Sequence, residues 1–428
     1  MTQNLGTVTD PAKVIDDLLA SATDAQVSFN FSFLPYYDPA PQPLQLFCHC
    51  QWQGGRLSCR IATDPAQMPA DGIDLMTPLC LEPVTVAKPW GAEIWHTGIE
   101  ARGVCAIQGT PLPWLIALHP TRLLGAGQRD PVLLKILAPF KEEIYGDLYL
   151  ELHEQKIEVY VVTQVDPGAW PDGRGQIRYG FCPKRLQSFA TEAAFRQAYL
   201  AAVNDYRAIR STIDAELDNV RLTNGYALDA PVAPALLEAW RAELDADLNH
   251  EEQRCRGLMN SFTRLQELAV GSVIQVQPLT PHSLQHGVRV IEFQSPHYER
   301  FILSFGQKVL TQPHWDSEVA IQRASLATPG APEPLAIHRS PGCSVDQIVC
   351  FPEFEVHNIR LASAESYRLA LENYAVLIGV EGTASIAGQA LGNEQSVLIS
   401  GLADEQVLTN NGPTSAVVLL AIPREAVV

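Results

Sequence analysis

An acid, an imidazole and a second acid lie close together in the stretch DLYLELHEQKIEVYVVT, which runs from Asp147 to Thr163. Successive side chains of a strand point to opposite faces, so Tyr149, Glu151 and His153 share one face and Leu148, Leu150 and Leu152 share the other. A tight turn leads to a second strand that starts near Glu158. Neutral imidazole and carboxylate groups suit a divalent transition metal. The stretch therefore predicts three metal ligands, although an amphipathic strand with a solvated polar face would have the same alternation.

A fourth ligand is expected from the segment GSVIQVQPLTPHSLQH, which starts at Gly271. Its strand ends in a turn rich in proline, and this turn presents His282. We predict that His282 completes the ligand set. His286 is the competing choice, but it lies beyond the turn and next to Gly287, where a loop position is expected.

The composition is that of an ordinary globular protein, with 428 residues, 46% hydrophobic residues and 18% charged residues. This length allows two or three domains. The formal net charge of -18 argues against a nucleic acid or a membrane as partner, so we expect neither. A small phosphorylated substrate is still allowed, because a local cluster of Lys and Arg can override the global field. The absence of a long apolar run and of a signal-peptide pattern predicts a cytoplasmic protein.

The nine cysteines follow no disulfide framework, which fits a reduced chain. Cys48, Cys50 and Cys59 flank a hairpin signal at Gly54-Gly55. Structural zinc and buried small apolar side chains are both possible roles for them. We favour burial, since no CxxC pair is present.

Most of the chain has patterns typical of strands. A short helix is predicted over 11–22 and an apolar strand over 115–118. The segment PVLLKIL at 131–137 is predicted to be a strand that is buried on both faces. Lys135 within it either extends along apolar surface or pairs in a site.

Helical patterns interrupt the strands after Pro183, and Thr191 can cap the first long helix. A second helix is predicted from about Pro234 towards Leu268, with Gly271 as its C-terminal stop. The chain is thus expected to have four regions. They are an N-terminal β-rich region over 1–85, a metal-binding domain over 86–185 and 268–330, a helical insertion over 186–267, and a C-terminal domain without a metal motif over 331–428.

The predicted ligands resemble the two motifs of the cupins. Glu151, His153 and Glu158 have the spacing of the first motif, H-x-H-x(3,4)-E, with Glu in place of the first His. The segment from Gly271 to His282 is similar to the second motif, G-x(5)-P-x-G-x(2)-H. It has the glycine, a proline at Pro278 and the histidine, with one residue more before the proline and one fewer after it.

Together with three short segments, these motifs resemble the type I phosphomannose isomerases, which are zinc-dependent enzymes with two cupin barrels. The segments are KPWG at 88–91, LLKIL at 133–137 and TPH at 280–282. The resemblance extends from about Val84 to Val428. It implies a mainly β fold with two cupin (jelly-roll) barrels, a helical insertion in the first barrel and an additional N-terminal β-rich region.

The resemblance also implies roles for individual residues. One Zn2+ is expected on Glu151, His153, Glu158 and His282, where Glu151 replaces the Gln of the family and adds a negative charge. The implied catalytic groups are Glu292 as the base, Arg300 and Lys156. The implied substrate-binding groups are Lys308, Arg300 and Lys135.

We therefore expect an isomerase of carbohydrate metabolism that interconverts mannose 6-phosphate and fructose 6-phosphate, or a related sugar phosphate, through an enediol. The alternative is a cupin that binds metal and a sugar or metabolite without catalysis, which an exposed Glu292 would favour. Another metal-dependent cupin enzyme, such as an iron oxygenase, is a third possibility. The expected partner is a small sugar phosphate, and a homodimer is among the oligomeric states that the sequence leaves open.

Overall fold

The computed structural model describes residues 2–35, 38, 40–99, 103–310, 312–331 and 333–424. The chain divides into two compact units. The first unit is built from Met1–Thr85, Trp95–Lys135 and Glu333–Val428, and the second from Val86–Ile94 and Ile136–Pro332. Residues 95–135, which the sequence placed in the metal-binding domain, thus belong to the first unit. The predicted domain limits at residues 1 and 428 lie outside the described residues.

The helices are short, apart from one that lies in the second unit. In chain order, helices α1 to α8 are Pro11–Leu19, Leu112–Leu118, Pro120–Leu124, Pro183–Gln187, Glu192–Thr223, Pro234–Ala242, Ala246–Asn260 and Ser317–Arg323. No helix within the described ranges is both long enough and apolar enough to cross a membrane.

Strands make up most of the remaining regular structure. Strands β1 to β10 are Thr2–Thr7, Ala25–Phe33, Leu44–Gln53, Arg56–Ala62, Ile73–Asp74, Leu79–Cys80, Val84–Lys88, Gly91–Trp95, Ala106–Ile107 and Thr110–Pro111. Strands β11 to β19 are Leu133–Pro139, Leu150–Leu152, Glu158–Val165, Gly175–Phe181, Thr263–Leu268, Val273–Val276, His282–Leu284, Val288–Gln294 and Phe301–Ser304. Strands β20 to β29 are Leu335–Ser340, Cys343–Cys350, Phe354–Leu361, Ser366–Leu369, Ala375–Glu381, Ala384–Ile386, Gln389–Leu391, Ser396–Ile399, Gln406–Thr409 and Ala416–Pro423.

The first unit begins with a sheet in the order β1-β2-β3-β4-β5. The predicted hairpin is confirmed as β3 and β4, which pair Cys50 with Cys59 and turn at Gly54 and Gly55 with φ of 56° and 78°. Cys48, Cys50 and Cys59 are buried free thiols. Their burial agrees with a packing role.

The first unit also contains the C-terminal strands. Its larger sheet has the order β20-β21-β22-β29-β24-β27-β6, and the smaller one has the order β23-β28-β25-β26. The core that these strands share includes Val345, Ile359, Leu377 and Val418, all buried. On β22, the Nε2 atom of His357 lies 2.8 Å from a carboxylate oxygen of Glu355.

The second unit contains two sheets that share one apolar core. The first sheet has the order β16-β13-β18-β11-β8-β7, and the second has the order β15-β14-β17-β12-β19. Tyr160 and Val290 from the first sheet and Ile177 and Leu284 from the second belong to this core. The two strands of the Asp147–Thr163 stretch, β12 and β13, therefore lie in different sheets.

The outer face of β12 packs against the helical block. Leu150 and Leu152 lie in a second apolar core with Phe195 and Tyr199 of α5. The predicted alternation is thus confirmed for Leu150 and Leu152, which face the helices while Glu151 between them faces away. Leu148 packs instead against the core between the two sheets.

Three predictions of secondary structure are wrong. The single helix from Pro234 to Leu268 is broken, since Asp245 caps α7 by accepting from the Asp247 amide at 2.7 Å, and the last residues form β15. Gly271 consequently lies in a turn between strands, with φ of 86°. Residues 115–118 belong to helix α2, because a short, fully buried apolar run has no periodicity that separates strand from helix.

The KPWG turn between β7 and β8 anchors one edge of the second unit. Trp90 is 1% exposed and lies in the core between the two sheets. Gly91 has φ of 144°, and a Cβ at this position would lie 2.2 Å from the carbonyl oxygen of Ala138. Only glycine fits this backbone, because both the conformation and the space exclude a side chain.

We expect Gly91→Ala to lower the free energy of unfolding by about 2–3 kcal/mol through strain and overpacking. Gly257→Ala is the matched control, since nothing lies within 4 Å of a Cβ at this helical position. It should raise the free energy of unfolding by about 0.5–1 kcal/mol. Denaturant unfolding of both variants measures the difference, and equal stabilities would contradict the prediction.

Candidate metal site

The candidate site lies where the chain passes from β12 to β13, and so from one sheet of the second unit to the other. Glu151 lies on β12, directly opposite His282 at the start of β17. His153 follows β12, and Glu158 is the first residue of β13. The crossing between sheets therefore brings side chains from both sheets together in the barrel.

Three of the predicted ligands form one group. Ligand atoms of Glu151, His153 and His282 all lie within 4.8 Å of one another. Both histidines are buried, with side chains 1% and 2% exposed, and Glu151 is 17% exposed. No other such group of His, Cys and acidic side chains occurs in the described ranges.

Hydrogen bonds to the backbone fix both imidazoles. His153 Nδ1 lies 2.8 Å from the Glu299 carbonyl, and His282 Nδ1 lies 2.9 Å from the Thr280 carbonyl. A carbonyl only accepts, so each Nδ1 must carry the proton and donate it. The Nε2 atoms, which make no hydrogen bond, are then the free ligand positions. This arrangement is the usual one for imidazoles that bind a metal.

Glu158 lies between the two imidazoles and is 1% exposed. Its Oε1 is 2.5 Å from Lys156 Nζ and 3.4 Å from His153 Nε2. Its Oε2 accepts from the Tyr160 hydroxyl at 2.8 Å and is 3.1 Å from His282 Nε2. Glu158 thus contacts both ligand nitrogens but is also held by a lysine and a tyrosine.

The charges of these groups are set by burial and by each other. Burial alone would raise the pKa of Glu158, but the Lys156 ammonium and the imidazoles outweigh it and hold that pKa well below its usual range. Burial lowers the pKa of His153, with Lys156 adding to the effect. Burial also opposes charge on His282, yet the Glu158 carboxylate outweighs it and raises the pKa.

The donor set fits a divalent cation. The buried Nε2 atoms of His153 and His282 make no hydrogen bond, and they lie 3.4 and 3.1 Å from the carboxylate oxygens of Glu158. A cation between these nitrogens and oxygens satisfies both. Imidazole nitrogen and carboxylate oxygen are ligands that zinc and similar metals accept.

Arg300 lies beside the acid that replaces the glutamine of the resembled family. Its Nε is 3.6 Å from Glu151 Oε2, and its guanidinium lies 4.8 Å from the ring centroid of Tyr149. The added negative charge of Glu151 therefore has a positive counterpart within the site.

Glu292 is completely buried and lies on β18, opposite Tyr160 of β13. It alternates in step with Val288 and Val290, which are part of the core between the sheets. The solvent-facing orientation is thereby excluded, and Glu292 points into the barrel. Burial, then the negative charges of Glu158 and Glu292, raise the pKa of Tyr160 well above its usual range, so its hydroxyl stays protonated.

The predicted lysines have different surroundings. Lys156 is 7% exposed and lies in the site through its contact with Glu158. Lys308 lies elsewhere in the second unit, where its Nζ donates to Asp218 at 2.7 Å and to the Leu228 carbonyl at 3.1 Å. Lys135 lies on β11, and its Nζ is 4.8 Å from the ring centroid of Trp95.

His286 lies in the turn between β17 and β18, as predicted. Its Nδ1 is 2.7 Å from Asp147 Oδ1, and its ring stacks on Trp170 with centroids 4.7 Å apart. It is not part of the ligand group.

Two residues that contribute to the site were missed by the sequence reasoning. Glu299 holds the turn before β13, because its carboxylate accepts from the amides of Gln155 and Lys156. Nothing in the local sequence indicates this long-range contact. Tyr160 could have been found, since it lies two residues after Glu158 on the same face of a strand.

No protein-family model and no curated protein matches the sequence. Among solved structures, the fold is similar to that of mannose 6-phosphate isomerases. The enzyme from Bacillus subtilis has a TM-score of 0.56 at 14% identity, over 81% of this chain and 99% of that chain. The apo form of the enzyme from Salmonella typhimurium has a TM-score of 0.57 at 14% identity, over 82% of this chain and 100% of that chain. A zinc-bound mannose 6-phosphate isomerase gives the same values.

At this identity the similarity shows the fold alone. The predicted fold class is confirmed: the chain is mainly β, with two barrels, a helical insertion and an additional N-terminal β-rich region. The group of Glu151, His153 and His282 is a candidate metal site within that fold.

We expect His282→Ala to weaken Zn2+ binding at least about 100-fold, because it removes a ligand and not merely a supporting contact. His286→Ala is the control, since this second histidine of the same segment is held by Asp147 outside the ligand group. Metal content after dialysis and competition with a chromophoric chelator measure the affinities. Loss of metal from the His286 variant instead would show that the wrong histidine was assigned.

Proposed function

We propose that this protein is a metal-dependent aldose–ketose isomerase that acts on a sugar phosphate, with mannose 6-phosphate and fructose 6-phosphate as the interconverted pair. The similarity of the fold to mannose 6-phosphate isomerases supports the reaction class. The observation that carries the proposal is the position of Glu292, a fully buried carboxylate in the same barrel as the ligand group.

Isomerisation needs one base that reaches two adjacent carbons. In the proposed reaction the Glu292 carboxylate takes the proton from C2 of the aldose and returns it to C1 of the enediol, while the hydroxyl proton of O2 passes to O1, giving the ketose. Its burial in the barrel keeps bulk water from the transferred proton. Tyr160, which lies opposite Glu292, keeps its hydroxyl on Glu158 and leaves Glu292 as the group for this step.

The proposed metal is one Zn2+ held by Glu151, His153, His282 and Glu158. When bound, it supplies a Lewis acid that stabilises the negative charge developing on the sugar oxygens. The chain provides two imidazoles of fixed tautomer and two carboxylates for it. Because both imidazoles are locked by backbone carbonyls, their orientation does not depend on the substrate.

The positive groups of the site are proposed to hold the substrate. Arg300 and Lys156 lie beside Glu151 and Glu158, where they can orient the oxygens of the sugar phosphate. An arginine suits bidentate contact with a phosphate or a carboxylate. Lys308 and Lys135 are substrate-binding groups by the family resemblance alone, and the contact of Lys308 with Asp218 favours Arg300 as the phosphate ligand.

The test is the conversion of mannose 6-phosphate to fructose 6-phosphate by the purified protein, before and after chelation. We expect chelation to abolish turnover and Zn2+ to restore it. Glu292→Gln should lower kcat at least about 100-fold, which is the contribution of a positioned base. The variant should keep its metal, because Glu292 lies outside the ligand group.

If the protein binds metal but converts no sugar phosphate, this result would contradict the isomerase proposal. It would favour a cupin that binds a sugar or metabolite without catalysis. One observation favours this alternative, namely that Lys308 already pairs with Asp218 and does not contact the described ligand group.

Arg300→Met and Lys308→Met separate the two proposed phosphate ligands. We expect Arg300→Met to raise the KM for mannose 6-phosphate about 10-fold or more, the value of a lost charge-assisted hydrogen bond. Lys308→Met should leave KM within about 2-fold and lower the Tm instead, because it breaks the pair with Asp218. Steady-state kinetics and thermal unfolding at equal metal content measure both effects. A larger KM change in the Lys308 variant would reverse the assignment.

A further inference from the structure

Tyr160 donates its hydroxyl proton to Glu158 Oε2 at 2.8 Å. Both residues lie on β13, and they are 3% and 1% exposed. A hydrogen bond to a carboxylate is strong when water is excluded from both partners. This contact is therefore a fixed part of the barrel interior.

The carboxylate of Glu158 is divided between two sets of partners. Oε1 faces Lys156 and His153, whereas Oε2 faces Tyr160 and His282. The ring of Tyr160 also packs edge-on against that of His282, with centroids 6.1 Å apart. Tyr160 is thus in contact with a carboxylate and an imidazole of the proposed metal site.

The last torsion of a glutamate side chain is broad and roughly two-fold. Lys156 holds Oε1 from the side of His153, and the Tyr160 hydroxyl holds Oε2 on the side of His282. The Tyr160 hydroxyl fixes one of the oxygens, so the other partners meet a carboxylate of defined orientation. Hydrogen bonds of this kind tune the groups that bind a metal.

We infer that Tyr160 is a positioning residue for metal binding, one that orients Glu158 as a ligand between His153 and His282. This inference rests on the metal site of the proposed function. It goes further because it gives a role to Tyr160, which is not itself a ligand. It also makes the orientation of the Glu158 carboxylate depend on the Tyr160 hydroxyl.

The substitution Tyr160→Phe isolates this role. It removes the hydroxyl and keeps the aromatic ring that packs against His282 and lies opposite Glu292. Tyr206→Phe is the matched control in the same unit. The Tyr206 hydroxyl donates to Glu252 Oε1 at 3.1 Å, and both of these residues are completely buried. The two variants therefore lose the same kind of hydrogen bond, inside and outside the site.

The experiment measures the affinity of the full-length chain for Zn2+ and Co2+ by competition with a chromophoric chelator, and the visible absorption spectrum of bound Co2+. We expect Tyr160→Phe to bind both metals about 10–100-fold more weakly and to change the Co2+ spectrum. Tyr206→Phe should have the affinity and spectrum of the unchanged protein. The stability of each metal-free variant is measured by denaturant unfolding.

Three results would overturn the inference. Tyr160→Phe could bind metal as tightly as the unchanged protein, or both variants could lose affinity equally, which would indicate a general structural effect. An unchanged protein without measurable affinity would remove the metal site and the role of Tyr160 with it. Loss of isomerase activity alone, with the affinities as expected, would contradict only the proposed reaction.

Discussion

The centre of the second unit depends on a buried carboxylate that must remain ionised. Removing such a group from water costs several kcal/mol unless charges and hydrogen bonds replace the water. Glu158 meets this demand with an ammonium, a phenol and two imidazoles. These groups come from the turn after β12, from β13 itself and from the start of β17. The passage of the chain from one sheet to the other is what brings them together.

Local sequence was enough to predict the faces of the strands. The alternation around Glu151 gave the direction of its side chain, and the turn before His282 identified a histidine that the structure brings to Glu151. Partners from distant segments had no local signal. The pairing of Arg300 with Glu151 and that of Lys308 with Asp218 depend on tertiary packing, which a strand or helix period does not contain. The same limit explains why the short apolar run of α2 was taken for a strand.

Each of the two acids nearest the buried imidazoles has a cation beside it. Arg300 Nε lies 3.6 Å from Glu151 Oε2, and Lys156 Nζ lies 2.5 Å from Glu158 Oε1. The two cations come from different segments of the chain, so the charge of these acids is balanced only once the second unit has folded.

The first unit is assembled from segments that are far apart in the chain. Strand β6 at Leu79–Cys80 pairs with β27 at Ser396–Ile399, and the Ser400 hydroxyl donates to the Leu75 carbonyl 325 residues away. A growing chain leaves the ribosome N-terminus first. All of the second unit has therefore been synthesised by Pro332, while β6 still lacks its neighbour. During translation β6 therefore has no pairing partner until Ser396–Ile399 has been synthesised, and the larger sheet of the first unit can be completed only near the end of synthesis.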